Sequence, residues 1–292
     1  MIRSERLIGV LLMLGSAVCF STGGLLVRMA ESTPPPAIVF WRSIFVFAFL
    51  VAVMACWQGG AMVQKLRRGG GAGIASAAFL AATFCFFIFA VTRTTVANTA
   101  ALMSTSPLML TAAAWIFLRE RVPAATWLAI AAALGGIVLM FAEGIASGSG
   151  IGGNLLALGI PLCFTVSYIL LRRRPASVDP AATAMLASLF AAVAMLPVTW
   201  PLAWPQADLP VLVAMGVFQT GMGLVLMMLA VHRLSAGELG MVGLLEMVLA
   251  PVWVWLLLGE RPTDAALAGG VVVVSAVFAN QLYTLRRNLR EA

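Results

Sequence analysis

Residues 9–28 read GVLLMLGSAVCFSTGGLLVR, and residues 153–172 read GNLLALGIPLCFTVSYILLR. Laid together without gaps, nine of twenty positions are identical, including a central Cys-Phe and a closing Arg. One hydrophobic segment therefore occurs twice, about half the chain apart, and the fold depends on what that duplication means.

The surroundings of the two copies set the solvent. Hydrophobic residues make up 62% of the 292 residues and charged ones 10%, with a mean hydropathy of +1.03. Soluble domains are nearer half apolar and a quarter charged. Too few charges remain to cover a water-facing surface, so the chain is expected to be solvated by lipid. A helix crosses the bilayer core in about 20 apolar residues. Ten such runs can be placed, roughly at 7–27, 37–57, 73–92, 95–118, 124–142, 152–171, 181–200, 209–231, 237–258 and 264–284. The runs are continuous, whereas barrel strands alternate apolar and polar residues. The expected fold is an all-α integral membrane bundle of ten transmembrane helices, with one domain over residues 1–292. The first run follows Arg3 and Arg6 but is too long for a signal-peptide core, so it reads as an uncleaved first helix.

With ten crossings the two termini share a side. Fourteen Lys and Arg residues fall on that side, against Arg28, Arg93 and Arg261 on the other, with Arg42 inside a run. Cytoplasmic loops carry such an excess. Both termini are therefore expected in the cytoplasm of a bacterial-type inner membrane. The net charge of +7 is read as topological, with no nucleic-acid partner. Cys19, Cys56, Cys85 and Cys163 all lie in or at the ends of apolar runs, which argues for small buried side chains rather than disulfides or a metal site.

The repeat extends beyond residue 28. At the same spacing Pro36-Ala37 meets Pro180-Ala181; four residues closer, Arg93 meets Arg233, and Leu118-x-Glu120-Arg121 meets Leu258-x-Glu260-Arg261. Runs one to five (about 7–142) and six to ten (about 152–284) thus look like two copies of one unit. Five is odd, so the second copy enters the membrane upside down. Two inverted copies are the architecture of many secondary transporters, with the substrate site near the midplane. Duplication for scaffolding alone is the bland alternative.

The stretches ALMSTSPLMLTAAAWIFLRERVP (101–123) and LLEMVLAPVWVWLLLGERPT (244–263) resemble the fourth and ninth helices of the EamA-type branch of the drug/metabolite transporter superfamily. The shared pattern is a helix-breaking proline, a Trp- and Leu-rich stretch and a Gly-Glu-Arg-like turn. The small-residue first run and Arg42 early in the second run also fit. The sequence departs from the pattern at Met247, where a proline is expected and Pro251 stands one turn later, and at Arg119 in place of glycine. The resemblance covers essentially the whole chain. It implies a carrier of amino acids or related metabolites; bacterial ten-helix members include an exporter of aromatic amino acids and paraquat.

Polar residues in lipid must be paired or line a wet cavity. Glu246 lies on the order of 13 Å into the ninth run at a 1.5 Å rise. It reads either as a proton-coupling carboxyl or partner for a substrate ammonium, or as a structural hydrogen bond or ion pair. Arg42 could attract a carboxylate, but snorkelling or helix locking is the simpler reading. Gln219 aligns with Phe79 across the repeat, an amide and an aromatic suited to an amphipathic substrate; the alternative is a lipid-facing Phe79 and an interhelical bond from Gln219. The run Asn98, Thr99, Ser104, Thr105, Ser106, Pro107 is unusually polar. Pro107 frees a carbonyl near residue 103 that a hydroxyl can satisfy, and Pro251 is expected to act likewise, giving two hinges. Phe20, Thr22, Phe164 and Tyr168 surround the duplicated Cys-Phe. With Trp41, Phe79, Thr83, Asn98, Ser104, Gln219 and Glu246 they complete the residues read as substrate-facing.

Trp57, Trp127, Trp200, Trp204 and Trp255 read as an interfacial belt, and His232 as an interfacial residue. Pro34-Pro35-Pro36 reads as a stiff extended link and Gly69-Gly70-Gly71 as a flexible one. Gly135-Gly136 and Gly269-Gly270 suit close helix packing away from the pathway.

An intramembrane enzyme needs a nucleophile with a base, paired aspartates or zinc ligands, and the chain has one histidine and keeps its aspartates at run ends. There is no phosphate-binding GxxxxGK[ST]. No cofactor is expected. The reading is a carrier that exports small amphipathic metabolites, amino acids foremost, by alternating access around a midplane cavity. A passive metabolite or ion channel and a cationic drug exporter are the alternatives. The partners are the substrate and the lipid bilayer; a monomer suffices, and a dimer is compatible.

Overall fold

The computed structural model describes residues 2–58, 61–119, 122–147, 151–173, 179–231, 233–234 and 236–291. Glu120, Arg121, Arg174 and His232, used above for topology, repeat or interface, lie outside them. Among the described residues every regular element is helical. The helices are α1 (Ile2–Ser21), α2 (Gly23–Met29), α3 (Pro35–Gln58), α4 (Ala61–Val91), α5 (Val96–Met103), α6 (Ser106–Leu118), α7 (Ala124–Ser147), α8 (Ile151–Arg173), α9 (Pro180–Thr199), α10 (Leu209–Val213), the π-helix π1 (Ala214–Met222), α11 (Gly223–Val231), α12 (Ala236–Leu258) and α13 (Asp264–Glu291).

Seven helical segments are long and apolar enough to cross a bilayer: Leu7–Met29, Pro35–Trp57, Arg67–Val91, Val96–Phe117, Ile151–Leu171, Pro180–Thr199 and Leu209–Val231. Three shorter apolar helices, Ala124–Leu139, Val242–Leu258 and Leu267–Asn280, fall where runs five, nine and ten were placed. The chain is a multi-pass membrane protein.

Lipid tails are as apolar as leucine, so these helices associate through close packing and buried hydrogen bonds rather than by escaping water. α7 lies on α13, α4 on α8 and α9, α3 on α9 and π1, and α1 on α11 and α12. Glycine permits the closest approach: a Cβ added to Gly136 would stand 2.7 Å from the Gly269 carbonyl oxygen. Of the glycine pairs of α7 and α13, Gly136 and Gly269 serve close packing, while Gly135 has open space around it. Hydroxyls tie other pairs. The Ser76 and Ser167 hydroxyls are 2.9 Å apart between α4 and α8, and Ser16 Oγ donates to the Gly223 carbonyl at 2.8 Å.

Several local expectations change. Pro35 and Pro36 open α3 instead of forming an extended link; Ala37 and Ile38 N–H groups donate to the Pro34 carbonyl at 2.9 and 3.0 Å. Proline fits a first helical turn because its missing N–H has no partner there anyway. Gly69–Gly71 lies within α4, where Gly70 at φ 50° and ψ −150° makes a kink that only glycine adopts easily. Cys56 is exposed at the end of α3, while Cys19 is buried; all four cysteines are free thiols. The expected tryptophan belt fits: Trp57, Trp127, Trp200, Trp204 and Trp255 are all exposed at helix ends or in the loop that precedes α10. Asp179 caps α9 by accepting from the Ala181 and Ala182 N–H groups at 2.9 and 3.0 Å, a contact worth about 1 kcal/mol.

Candidate functional site

α1 and α2 form one segment broken at Thr22, and α5 and α6 another broken at Ser104–Thr105. Between these two segments, α4 and α12 lies a narrow cavity of about 20 Å³. Its walls include Phe20, Gly24, Phe87, Thr99, Met103, Glu246 and Met247. Glu246 is the one ionisable group on the wall, and no ion pair or hydrogen bond joins it to another described residue. It thus faces a largely apolar space with its acceptors free.

Arg42 was expected to snorkel or to lock helices together. It is 2% exposed. Its guanidinium lies over the Phe84 ring at 5.3 Å and the Phe87 ring at 5.9 Å, a cation–π sandwich in place of a carboxylate partner. Nε has no hydrogen-bond partner. No ion pair reaches from Arg42 to Glu246; the Phe87 ring, which also lines the cavity, stands next to both groups' surroundings.

Gln219 is 6% exposed on π1. Its Oε1 accepts from Thr220 Oγ1 at 2.6 Å, which turns the amide nitrogen outward from that pair. A Cβ placed on Gly23 would meet Gln219 Nε2 at 3.0 Å and the Phe87 ring at 3.1 Å, so amide and ring converge on the same glycine. π1 packs closely on α3 at Gly216 and Gly221, where added Cβ atoms would run into Phe45 and Phe49. Sequence reasoning had Gln219 but missed the π-helix, and it left Phe87 out altogether.

One end of the bundle is closed by polar contacts. Arg28, at the end of α2, sets Nε 3.0 Å from Glu260 Oε2. Its NH2 group donates to Glu260 Oε1 at 3.2 Å and to the Thr94 carbonyl at 2.9 Å. The Val96 N–H donates to Glu260 Oε1 at 3.4 Å. Thr94 Oγ1 donates to Asn154 Oδ1 at 2.8 Å, and Asn98 Nδ2 reaches both Thr94 Oγ1 (3.2 Å) and Asn154 Oδ1 (3.3 Å). Segments from both halves meet in this clasp. At the other end Arg233 Nε pairs with Glu5 at 3.2 Å in a more exposed setting. Gly9 there packs on Arg233, with an added Cβ only 2.8 Å away, and at the clasp Gly153 packs on the Arg93 backbone at 2.7 Å.

The remaining residues read as substrate-facing lie elsewhere. Phe79 is 40% exposed, and the Thr83 hydroxyl donates back to its carbonyl at 3.2 Å. Phe79 therefore does not share a wall with Gln219. Asn98 belongs to the clasp. The hydroxyls of Thr22 and Ser104 fold back onto the Cys19 and Ala101 carbonyls, each at 2.7 Å. Phe164 and Tyr168 pair with each other at 6.2 Å along α8, with Tyr168 exposed. Trp41 sits against Trp204 at 5.0 Å in a separate groove of about 450 Å³ between the α2–α3 and α9–α10 connections. Phe20 and Glu246 do reach the cavity, where Phe20 also packs on Gly223. Pro107 stands just past a true break, and the Ser106 hydroxyl satisfies the freed Met103 carbonyl. α12, by contrast, runs unbroken across Pro251, so the two prolines are not equivalent. No hydroxyl run accompanies Pro251 as Ser104–Ser106 accompanies Pro107.

The chain resembles known proteins over its full length. It is 29% identical to the pseudopaline exporter CntI of Pseudomonas aeruginosa strain UCBPP-PA14, over 93% of this chain and 95% of that one. The same holds for CntI of strain PAO1. A solved crystal structure superposes with a TM-score of 0.66 over 98% of this chain and 99% of the other, at 19% identity, which speaks to the fold. The model of the EamA-like transporter family matches residues 7–142 and again residues 151–280. With both halves matched, the chain belongs to the EamA-like transporter family.

Proposed function

We propose that this chain is a secondary carrier that moves small amphipathic metabolites, amino acids foremost, out of the cell across a bacterial inner membrane. In this reading ten crossings form two inverted five-helix repeats with both termini cytoplasmic. They alternate access to the cavity around Phe20, Phe87 and Glu246. The observation that carries it is that cavity: a small space holding one unpaired carboxyl, walled by segments of both halves and closed at one end by the Arg28–Glu260 clasp. The repeat reading is supported by matched contacts. Gly9 packs on Arg233 as Gly153 packs on Arg93, and Gly15 meets Leu226 as Gly159 meets Phe86, so residues equivalent in sequence make equivalent contacts. Export as the direction is supported by the named relatives.

Pro107 serves as one hinge, because the break at Ser104–Thr105 leaves α5 and α6 joined without a continuous hydrogen-bond ladder. Pro251, inside the unbroken α12, is the second hinge of this reading. A proton can ride on Glu246, since its carboxyl has no competing partner among the described residues. The test is counterflow in proteoliposomes with amino acids, nucleosides, sugars and cationic drugs. Saturable, substrate-specific counterflow is expected. Flux that never saturates would make the protein a channel.

A further inference from the structure

We propose that the transported molecule is a zwitterion read at two separate points: its carboxylate by Arg42 with Gln219, and its cationic nitrogen by Glu246, with the Phe87 ring holding the place in between. The inference deepens the carrier reading and rests on it.

Arg42 is the starting point. A buried cation in a membrane protein ordinarily meets a carboxylate or a cluster of carbonyls, since an unpaired charge in a low-dielectric interior is costly. Here the guanidinium is 2% exposed and has no acid within ion-pair distance among the described residues. Two phenylalanine faces hold it, and Nε is left without an acceptor. Rings offset only part of the charge. A carboxylate with its two oxygens fits the planar fork of a guanidinium and would satisfy what the rings do not.

Glu246 shows the opposite deficit. It brings an unpaired carboxyl into the cavity, a group that a cationic nitrogen would hold in its ionised, acceptor-only form. No ion pair joins Arg42 and Glu246; the Phe87 ring lines the cavity that Glu246 faces and also lies under the guanidinium. Gln219 adds two N–H donors at the edge of the same ring, through the gap left by Gly23. Polar side chains from α3, π1 and α12 thus border the surroundings of one aromatic ring. The cavity of about 20 Å³ is too small for a metabolite while the ring is in place. Rotation of Phe87 would join the cavity to the guanidinium and open a path between the two charges. A molecule with only an ammonium leaves Arg42 unpaired, and one with only a carboxylate leaves Glu246 unpaired. Both single-charge classes are thereby disfavoured, which separates amino acids from cationic drugs.

The experiment uses the full chain in proteoliposomes. Each of the twenty common L-amino acids is tested in counterflow. For the best of them, the decarboxylated amine and the deaminated acid are tested as competitors. We expect saturable counterflow of at least one amino acid, with both analogues about ten- to a hundredfold weaker, the loss expected for one charged hydrogen-bonded contact. Arg42→Gln should raise KM by a similar factor, and Arg42→Lys should recover part of it. Glu246→Gln should relax the rejection of the deaminated acid, a change of selectivity that a merely structural role would not give. Thermal melting in detergent checks that each variant is folded, and Arg42→Lys keeps the test open if Arg42→Gln is not. Competition by either analogue within about threefold of the parent would overturn the two-point reading and leave the carrier standing. The same holds if nucleosides, sugars or cationic drugs are moved and amino acids are not. Saturable counterflow of no compound would sink the carrier and the zwitterion together.

Discussion

Loss of the Arg28–Glu260 clasp should make the central cavity easier to reach from that face, by an amount the geometry sets. The two side chains are 30% and 26% exposed and approach to 3.0 Å. Exposed ion pairs contribute about 0.2–1 kcal/mol, while removing one partner of a buried pair costs about 3–5 kcal/mol. A pair exposed by between a quarter and a third falls nearer the lower range, and Arg28 also gives up its bond to the Thr94 carbonyl. We expect Arg28→Gln to weaken closure by about 1–2 kcal/mol, a factor of about five to thirty in the open fraction. Glu260→Gln should do less, since an amide oxygen can still accept from the Val96 N–H. The assay is the reaction rate of a cysteine at Ala100, on the cavity wall, with a membrane-impermeant thiol reagent added to the face that carries Arg28. The four native cysteines are replaced by alanine in that background. The rate should rise with Arg28→Gln and fall back in the charge-exchanged pair Arg28→Glu with Glu260→Arg. An unchanged rate in both single variants would refute the clasp as a barrier.

Other expectations follow from packing and from the cavity. Gly136→Ala should destabilise the α7–α13 contact by about 1–3 kcal/mol, the usual range for overpacking, because the new methyl meets the Gly269 carbonyl at 2.7 Å and backbone cannot swing aside; a lowered midpoint in a detergent melt checks it, and Gly135→Ala, with open space around it, should be nearly neutral. Ser76→Ala and Ser167→Ala should show a coupling of about 0.6 kcal/mol in a double-mutant cycle, the average for interhelical bonds in membranes, where additivity would mean that the hydroxyl pair at 2.9 Å contributes little. If Glu246 carries the coupling proton, Glu246→Gln should flatten the pH dependence of flux in proteoliposomes, and a profile identical to the parent's would remove it from that role.

The membrane class and the rough location of the apolar runs were legible because lipid imposes a requirement on length and polarity that each run must meet alone. Gly136 against Gly269, the Ser106 hydroxyl on the Met103 carbonyl and the exposed tryptophans were legible for the same reason: each follows from a local need. What sequence did not give was azimuth. In an all-apolar helix the pattern does not say which side faces lipid, so Phe79 and Phe87 on α4 looked alike, yet one is exposed and the other lines the cavity. Arg42 was read as either snorkelling or locking helices together, a choice that two rings on α4, far along the chain, make by holding it inside. Asn98 was drawn to Asn154 by a contact between halves that no local rule predicts. π1 left no periodic trace in the sequence, and its close fit on α3 at Gly216 and Gly221 depends on a helix far along the chain.

The winding of Ala214–Met222 has a mechanical side. A π turn spends more residues per revolution than an α turn. Were this stretch to tighten, one residue would be set free, and everything after it would advance by about 1.5 Å and swivel by about 100°. Gln219 would be carried away from the Phe87 edge, and α11 beyond it would shift as well. The segment behaves as a wound spring with slack stored in its middle, beside the one ring on which the two charged side chains border.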